Sequence, residues 1–414
     1  MMEKQKVSYF ELKGSYKEIG RQMAKRMKEA SALEQMQFSA PEYIAAEDLK
    51  EARNIYEKYC PGLLEELEGF AEESGIPAER ISYSWMTYLV PRCSGLILGG
   101  NRTEDGHMKL IRNYEFSIED EDLTVTRTAP EGKYAHVSGN IACFGRCEGI
   151  NECGLAVSMS SCGFPVSNMR GMRAPKVRGL QFWAVIRTVL ENCKDVEEAL
   201  NMLNGMPIAY NINLLLADKK HNGVLFETMD GERAWRRLSK VEKKVITEEK
   251  EAQKEKVQKI ENTERTENTG RIENTENTEN TEYLAATNHI VIPEFQVYEP
   301  VGMRNSIIRF KNVTQFAESK LTFTEKEMKQ FMFKKYPDGM TCYCYEDWFG
   351  TIRTVLMDID ELRYSVCWFG LEENGWKNFS VMDPICECVE EKKVIKERAG
   401  SDMFEMVPIK ERES

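Results

Sequence analysis

One short stretch of the chain brings together a thiol, a guanidinium and a carboxylate: Cys93, Arg112 and Glu115. Cys93 sits in Pro91-Arg92-Cys93-Ser94-Gly95, ahead of the apolar run Leu96-Ile97-Leu98. Gly99-Gly100-Asn101 and Glu104-Asp105-Gly106 follow as turn punctuation, and then Lys109-Leu110-Ile111-Arg112-Asn113-Tyr114-Glu115-Phe116. Two apolar runs separated by Gly, Asn and Asp read as adjacent strands joined by a turn. If they pair, the cysteine at the start of one comes close to the arginine and glutamate at the end of the other. A cysteine attacks a carbonyl as the thiolate, and a nearby guanidinium favours that form. Taken alone, such a cysteine is an ordinary buried thiol; its neighbours make it a candidate nucleophile.

Other chemistries find less support. Cys342/Cys344 and Cys386/Cys388 are Cys-x-Cys pairs, and Cys143 and Cys147 lie close together. Residues i and i+2 of a strand share a face, so a four-cysteine zinc site is geometrically conceivable. The Cys-x-x-Cys knuckle spacing is absent, and Tyr343 and Tyr345 alternate with the first pair as strand residues do. We therefore expect reduced core cysteines, no metal and no cofactor. With only four histidines (His107, His136, His221 and His289), a Cys-His or Ser-His pair has few candidates.

The 414 residues allow one large domain or a few ordinary ones, and 42% hydrophobic content is that of a globular protein. Net charge of −12, with no isolated basic block, argues against nucleic acid and anionic membrane as partners. The first residues, Met1-Met2-Glu3-Lys4, lack an apolar leader, and no run is long enough to span a membrane. The expected setting is cytoplasmic.

Residues 1–92 read as mostly helical. A short strand lies near Phe10–Lys13, helices cover Tyr16–Ala30 and Pro41–Glu73 (broken at Pro61), and a third follows Ala78. From Cys93 the period changes to that of strands. These are expected at Leu123–Thr128, Tyr134–Ser138 and Ile141–Phe144, with a turn at Gly149–Gly154 and a returning strand to Ser160. Helices follow at Gly179–Glu191 and after the cap Asp195, then strands at Asn211–Leu216, Val224–Thr228 and Trp235–Leu238. Residues 248–282 repeat Glu-Asn-Thr, beginning at Glu261, Glu267, Glu273, Glu276 and Glu279. With almost no apolar residue to offset chain entropy, this insertion reads as disordered. Tyr283–His289, a helix from Met303 to Phe316 and four further strands complete a core of residues 93–389, and 390–414 reads as a peripheral tail. The class is α+β, with two helix layers over two sheets.

Four patches, in this order, carry a resemblance. They are Cys93-Ser94 with Asp105-Gly106 and Arg112–Phe116; Gly149-Ile150-Asn151-Glu152-Cys153-Gly154-Leu155-Ala156; Leu215-Leu216-Ala217-Asp218; and Ala286-Thr287-Asn288-His289 with Ser306-Ile307-Ile308-Arg309. The chain resembles the N-terminal-nucleophile hydrolases of the choloylglycine hydrolase and isopenicillin-N acyltransferase group, the latter branch, of autoproteolytic cysteine amidohydrolases, being the closer. The resemblance implies a four-layer αββα sandwich of two antiparallel sheets between helix layers. It implies that the chain is cut between Arg92 and Cys93, leaving Cys93 as both nucleophile and new N-terminus. A freed α-amine, with a pKa of about 7.7–8.0, can then act as general base for its own thiol, so no histidine is needed. Arg112 would act on the thiolate or substrate carbonyl by charge, Glu115 would accept from the α-amine, Asn288 would donate to the oxyanion and Arg309 would orient the cluster. Ser161 and Asn151 are further substrate- or oxyanion-side positions. Two positions depart from the family's pattern: Glu115 where aspartate is usual, and Arg92 where a small residue is frequent.

The expected activity is cleavage of a linear, non-peptide C–N bond in a small N-acyl compound. An acyltransferase, in which an amine resolves the acyl-enzyme, is the sister reading, and a non-catalytic relative serving as a binding protein is the other class. Whether the chain forms a homo-oligomer stays open.

Overall fold

The computed structural model describes residues 2–29, 46–84, 92–119, 121–141, 143–162, 176–239 and 282–409, with backbone only at Met2, 82–84, Arg92 and Cys93. The N-terminal part runs β1 (Met2–Gly14), α1 (Tyr16–Glu29), α2 (Ala46–Tyr59), α3 (Leu63–Ser74) and α4 (Ala78–Ser84). Next come β2 (Arg92–Leu98), β3 (Lys109–Phe116), β4 (Thr124–Pro130), β5 (His136–Ile141), β6 (Gly145–Asn151) and β7 (Ala156–Ser161). Helices α5 (Phe182–Asn192) and α6 (Val196–Gly205) precede β8 (Ile212–Ala217), β9 (Gly223–Met229), β10 (Glu232–Arg237) and β11 (Tyr283–Ala286). Then follow α7 (Pro293–Gln296), β12 (Val301–Met303), α8 (Arg304–Glu318) and α9 (Glu325–Phe333). The chain closes with β13 (Tyr343–Cys344), β14 (Phe349–Asp358), β15 (Arg363–Trp368), β16 (Lys377–Ser380), β17 (Cys388–Ile395) and β18 (Met406–Pro408).

Among the described residues, one sheet has the order β10-β9-β8-β7-β6-β5-β4-β1-β17 and the other β11-β2-β3-β14-β15-β16, with β13 on β14. They lie face to face: β2 meets β7 and β8, and β11 meets β8 and β9. α5 covers β5, β6 and β7 on the outside of the first sheet, while α8 and α9 cover β2, β3, β11 and β14 of the second. That is the expected four-layer αββα arrangement. It differs in one respect, because β1 pairs with β4 in parallel and the first sheet is therefore mixed.

Local patterns explain the layers. In α5 every residue from Phe182 to Glu191 is buried, since one side meets the sheet and the other meets α6 and the N-terminal helices. α6 starts at Asp195, whose carboxylate accepts from the Glu198 amide at 3.0 Å. α1 and α3 continue the outer layer beside α5. There Arg187 donates to Glu66 at 2.8 Å, and the Phe70 and Phe144 rings meet edge-on at 4.8 Å.

Several expectations are corrected. β1 begins at Met2 rather than Phe10 and lies between β4 and β17 inside the sheet. The strands expected at Tyr134–Ser138 and Ile141–Phe144 are instead β5 and β6. Between them Cys143 adopts a positive φ of 63°, its amide held at 2.6 Å by Asp122. The 390–414 tail is not peripheral: β17 pairs along β1, and the Met403 carbonyl accepts from Asn305 Nδ2 at 2.8 Å at the start of α8. α9 was not anticipated, although Thr324 and Glu327 form a capping box. The Glu-Asn-Thr insertion lies outside the described residues as far as 281.

α1 and α3 cross where Gly20 and Gly69 face each other's backbone. A Cβ at Gly20 would stand well inside van der Waals distance of the Glu66 carbonyl, and one at Gly69 would do the same to Lys17. Gly20→Ala or Gly69→Ala should therefore push the helices apart and cost about 1–3 kcal/mol. Chemical denaturation should show it as a lowered midpoint, whereas Gly75→Ala, with no atom near the added carbon, reports only the cost of its positive φ.

Candidate active site

β2 and β3 pair as the turn signals require, with Arg92 level with Glu115, Cys93 with Tyr114 and Gly95 with Arg112. Alternation along β3 then sends its two charged candidates to opposite faces. Asn113 donates to the Met332 carbonyl of α9 at 3.1 Å, and Glu115 accepts from Arg309 of α8 at 2.8 Å. Arg112 turns inward, between the sheets, where it donates to the Cys147 carbonyl and lies 3.1 Å from Glu148 Oε2.

On the helix side, Arg309 is the hub. Its guanidinium donates to Glu115, to Asn288 Oδ1 at 2.7 Å and to Asn305 Oδ1 at 2.9 Å. Asn305 is one turn earlier on α8, the i,i+4 spacing at which helical side chains meet. Asn288 Nδ2 continues the chain of bonds to Ser161, reaching its carbonyl at 3.0 Å and its hydroxyl at 3.2 Å. The Asn288 amide donates to Ser306 Oγ at 2.7 Å, and Ser306 Oγ also lies 2.8 Å from His289 Nδ1. From the first sheet, Asn213 Nδ2 donates to the carbonyls of Thr287 and His289, one on each side of Asn288. β11 pairs with β2 as far as Ala286, which is level with Gly95, and Asn288 follows two residues beyond that last pair, toward the Cys93 end of β2. Glu115, Arg309, Asn288 and Ser161 thus form one buried hydrogen-bonded chain beside the backbone of Cys93.

Burial pushes Glu115 up to about 8, outweighing the pull of Arg309 in contact and Arg112 on the other face of the strand. Burial, with Arg309 nearby, lowers His289 to about 3 and keeps that imidazole neutral. His289 therefore braces Asn288 and is poorly suited to act as a base at neutral pH.

Between the sheets, Arg353 donates to Glu148 at 3.2 Å and to Glu121 at 3.0 Å. The Tyr364 hydroxyl adds a bond to Glu148 at 2.9 Å, and that of Tyr114 one to Glu121 at 2.6 Å. Burial raises Glu148, but Arg353 and Arg112 together draw it below its ordinary value. Arg112 is thus held from behind by a carboxylate that is itself held.

Asn151 is not part of either group. Its Nδ2 donates to the Leu190 and Cys193 carbonyls at the end of α5, and its Oδ1 accepts from Cys153 and Leu155 in its own turn. It shapes the β6–β7 connection. The sequence reading missed Asn213, Asn305, Glu148 and Arg353, and named Ser306 only within the patch that carries the resemblance; Asn305 left a signal in its spacing from Arg309. Asp105, His107 and Asp358 bring ligand atoms within 4.8 Å of one another, but the Lys109 ammonium bonds Asp105 at 2.7 Å and also Asp358. This group already contains its own cation. Cys342 and Cys344 pack with Phe349 and Met403, and Cys388 lies 3.0 Å from Lys377.

A family model described as "Acyl-coenzyme A:6-aminopenicillanic acid acyl-transferase" matches residues 101–371, beginning downstream of Cys93. This covers more than half of the chain, and the chain belongs to that family, the branch of the N-terminal-nucleophile hydrolases that its residues resemble. Among solved structures the chain is similar to a variant of conjugated bile acid hydrolase from Clostridium perfringens. Identity is 12%, coverage 75% of this chain and 99% of that one, and TM-score 0.41. It is similar to penicillin V acylase from Agrobacterium tumefaciens at 16% identity, covering 69% and 76%, with a TM-score of 0.34. It is also similar to the Caenorhabditis elegans N-acylethanolamine-hydrolyzing acid amidase ortholog at 13% identity, covering 65% and 93%, with a TM-score of 0.38. No curated protein matches.

Because Glu115 holds its proton more tightly folded than unfolded, its contribution to stability is full at low pH and is lost as the pH rises through about 8. Glu115→Gln cannot titrate. In the uncut chain, held so by a Cys93→Ala background, the midpoint gap between the variant and the parent should shift steadily in the variant's favour from about pH 5 to about pH 8. A gap independent of pH would contradict the raised value. The offset itself also contains the loss of the Arg309 pair, so the slope is the quantity to read.

Proposed function

We propose that this family member is a cysteine amidohydrolase, cut between Arg92 and Cys93, that cleaves a linear amide of an N-acyl compound through a thioester. The observation that carries the reading is the buried chain Glu115–Arg309–Asn288 beside the Cys93 backbone, with Arg92 level with Glu115. In the cut, the Cys93 thiol attacks the Arg92 carbonyl. The acyl group passes from nitrogen to sulfur, and water opens the thioester, freeing the Arg92 carboxylate and the Cys93 α-amine.

That amine then takes the thiol proton as sulfur adds to the substrate carbonyl, and returns it to the departing amine. The positive charge an α-ammonium places near Glu115 draws the carboxyl back toward ionisation, so that it can accept from the new N-terminus. Asn288 meets the oxyanion through Nδ2, exchanging its longer bond, that to the Ser161 hydroxyl at 3.2 Å, for the substrate oxygen. Arg309 fixes which way that amide points, because Asn288 Oδ1 accepts from it at 2.7 Å. Arg112, anchored on Glu148, supplies positive potential from the inter-sheet side.

The acyltransferase reading, with an amine in place of water, draws its support from the description of the family itself. The substrate is a small N-acyl amide and the reading needs no cofactor. The cytoplasmic setting and any homo-oligomer remain part of this proposal.

Incubation with an activated acyl donor should give a hydroxylamine-sensitive adduct on Cys93, visible by mass. Added amine should divert product from acid to amide if the second reading holds. Asn288→Ala should lower kcat by about 10²–10³-fold, as for loss of an oxyanion donor. Turnover in a Cys93→Ala variant equal to that of the parent would sink the proposal.

A further inference from the structure

Among the described residues, Ser160 Oγ on β7 and Asn213 Oδ1 on β8 are two of the buried polar atoms that have no protein partner. Both residues are buried, at 2% and 1% exposure, and the β7–β8 register sets them directly opposite each other. Buried polar atoms are almost always bonded, and an unmet one costs about 1–3 kcal/mol, so a pair of them side by side calls for a reason.

The orientation of Asn213 follows from its partners. Its other end donates to two carbonyls, Thr287 at 3.1 Å and His289 at 3.0 Å, and a flipped amide would set oxygen against both. The unmet end is therefore the oxygen, which can only accept. Ser160 Oγ can donate or accept.

The same pair lies toward the Cys93 end of β2. A Cβ at Gly95 would meet Leu215 Cδ1 at 2.9 Å and Ser158 Oγ at 3.4 Å, so β2 passes over the Ser158–Leu215 rung at that point. The Ser160–Asn213 rung is the next one along. Asn213 grips the two carbonyls flanking Asn288, just beyond Ala286, which is level with Gly95. The rung thus lies across the sandwich from β2, beyond Gly95 on the side of Cys93.

We infer that Ser160 and Asn213 recognise the nitrogen side of the scissile bond, an inference that rests on the Cys93 reading above. Asn213 Oδ1 accepts the substrate's amide N–H, and Ser160 Oγ bonds a second polar atom of the amine half close to that nitrogen. The substrate class follows: a secondary amide whose amine half has a hydrogen-bonding group near the nitrogen. A tertiary amide has no hydrogen to give, and the oxygen of an ester places lone pairs against Oδ1. The departing amine still offers N–H groups to Asn213 as it leaves.

The test uses the processed full chain and three compounds sharing one acyl group and one hydroxyl-bearing amine or alcohol half: the secondary amide, its N-methyl derivative and the ester. Acylation of Cys93 is followed by mass, and kcat/KM is measured for each. The expected result is at least a tenfold preference for the secondary over the N-methyl amide, as for a site whose buried acceptor is left unpaired. Ser160→Ala, which removes no bond among the described residues, should lower kcat/KM severalfold for the secondary amide and leave it unchanged for a fourth compound, the same amide without the hydroxyl. Equal rates for the secondary and N-methyl amides, an equal effect of the variant with and without the hydroxyl, or acylation by the ester alone would overturn the inference and leave the nucleophile assignment standing. Absence of acylation by all three would remove both.

Discussion

A guanidinium with no access to water must find its hydrogen bonds inside the protein, and Arg309 finds them on three separate pieces of chain. Glu115 comes from β3, Asn288 from the loop after β11, and Asn305 from the first turn of the same helix. The arginine thereby fixes α8 to its sheet and sets the direction of the Asn288 amide in one stroke. The helix-side half of the candidate site depends on that pairing. Breaking one partner of a buried ion pair leaves the other charge uncompensated, at a cost of about 3–5 kcal/mol. The braces around Asn288, from Ser306 on one side and Asn213 on the other, then hold the peptide itself.

The second constraint is the period of two in a strand. Arg112 and Glu115 are three residues apart, so β3 delivers one to the space between the sheets and the other to the helix layer. The two charges act on the Cys93 strand from opposite faces instead of cancelling across a single contact. Each face then needs its own compensation. Arg309 supplies it for Glu115, and Glu148, shared between Arg112 and Arg353, supplies it between the sheets. Buried pairs of this kind add little net stability over an apolar core. Their contribution is to give the side chains around the Cys93 strand one arrangement.

How far the chain could be read in advance follows from the range of each interaction. The β2–β3 hairpin was legible because apolar runs, turn residues and charged ends all lie within about 25 residues, the reach of local turn signals. The broken helix at Pro61 and the cap at Asp195 were legible for the same reason. Asn288 and Arg309 were named by resemblance, since nothing local marks a turn asparagine or a helix arginine as special. Glu148 and Arg353 left no mark at all: their contact joins β6 to β14 across the sandwich. Asn151 was misplaced because an asparagine in a Gly-containing turn does the same hydrogen bonding whether or not a site is near. β1 was undercounted because Lys4 and Lys6 face outward at a sheet flank covered by the C-terminal strand. A pattern that is half polar on a half-covered strand resembles a loop.

The account's central claim is that Cys93 becomes the N-terminus. Intact mass of the purified protein, beside a Cys93→Ala variant, tests it most directly. The account predicts two fragments in the parent, the second beginning at Cys93, and one uncut chain in the variant. One uncut chain in both would take away the α-amine base, and with it the mechanism proposed for this site.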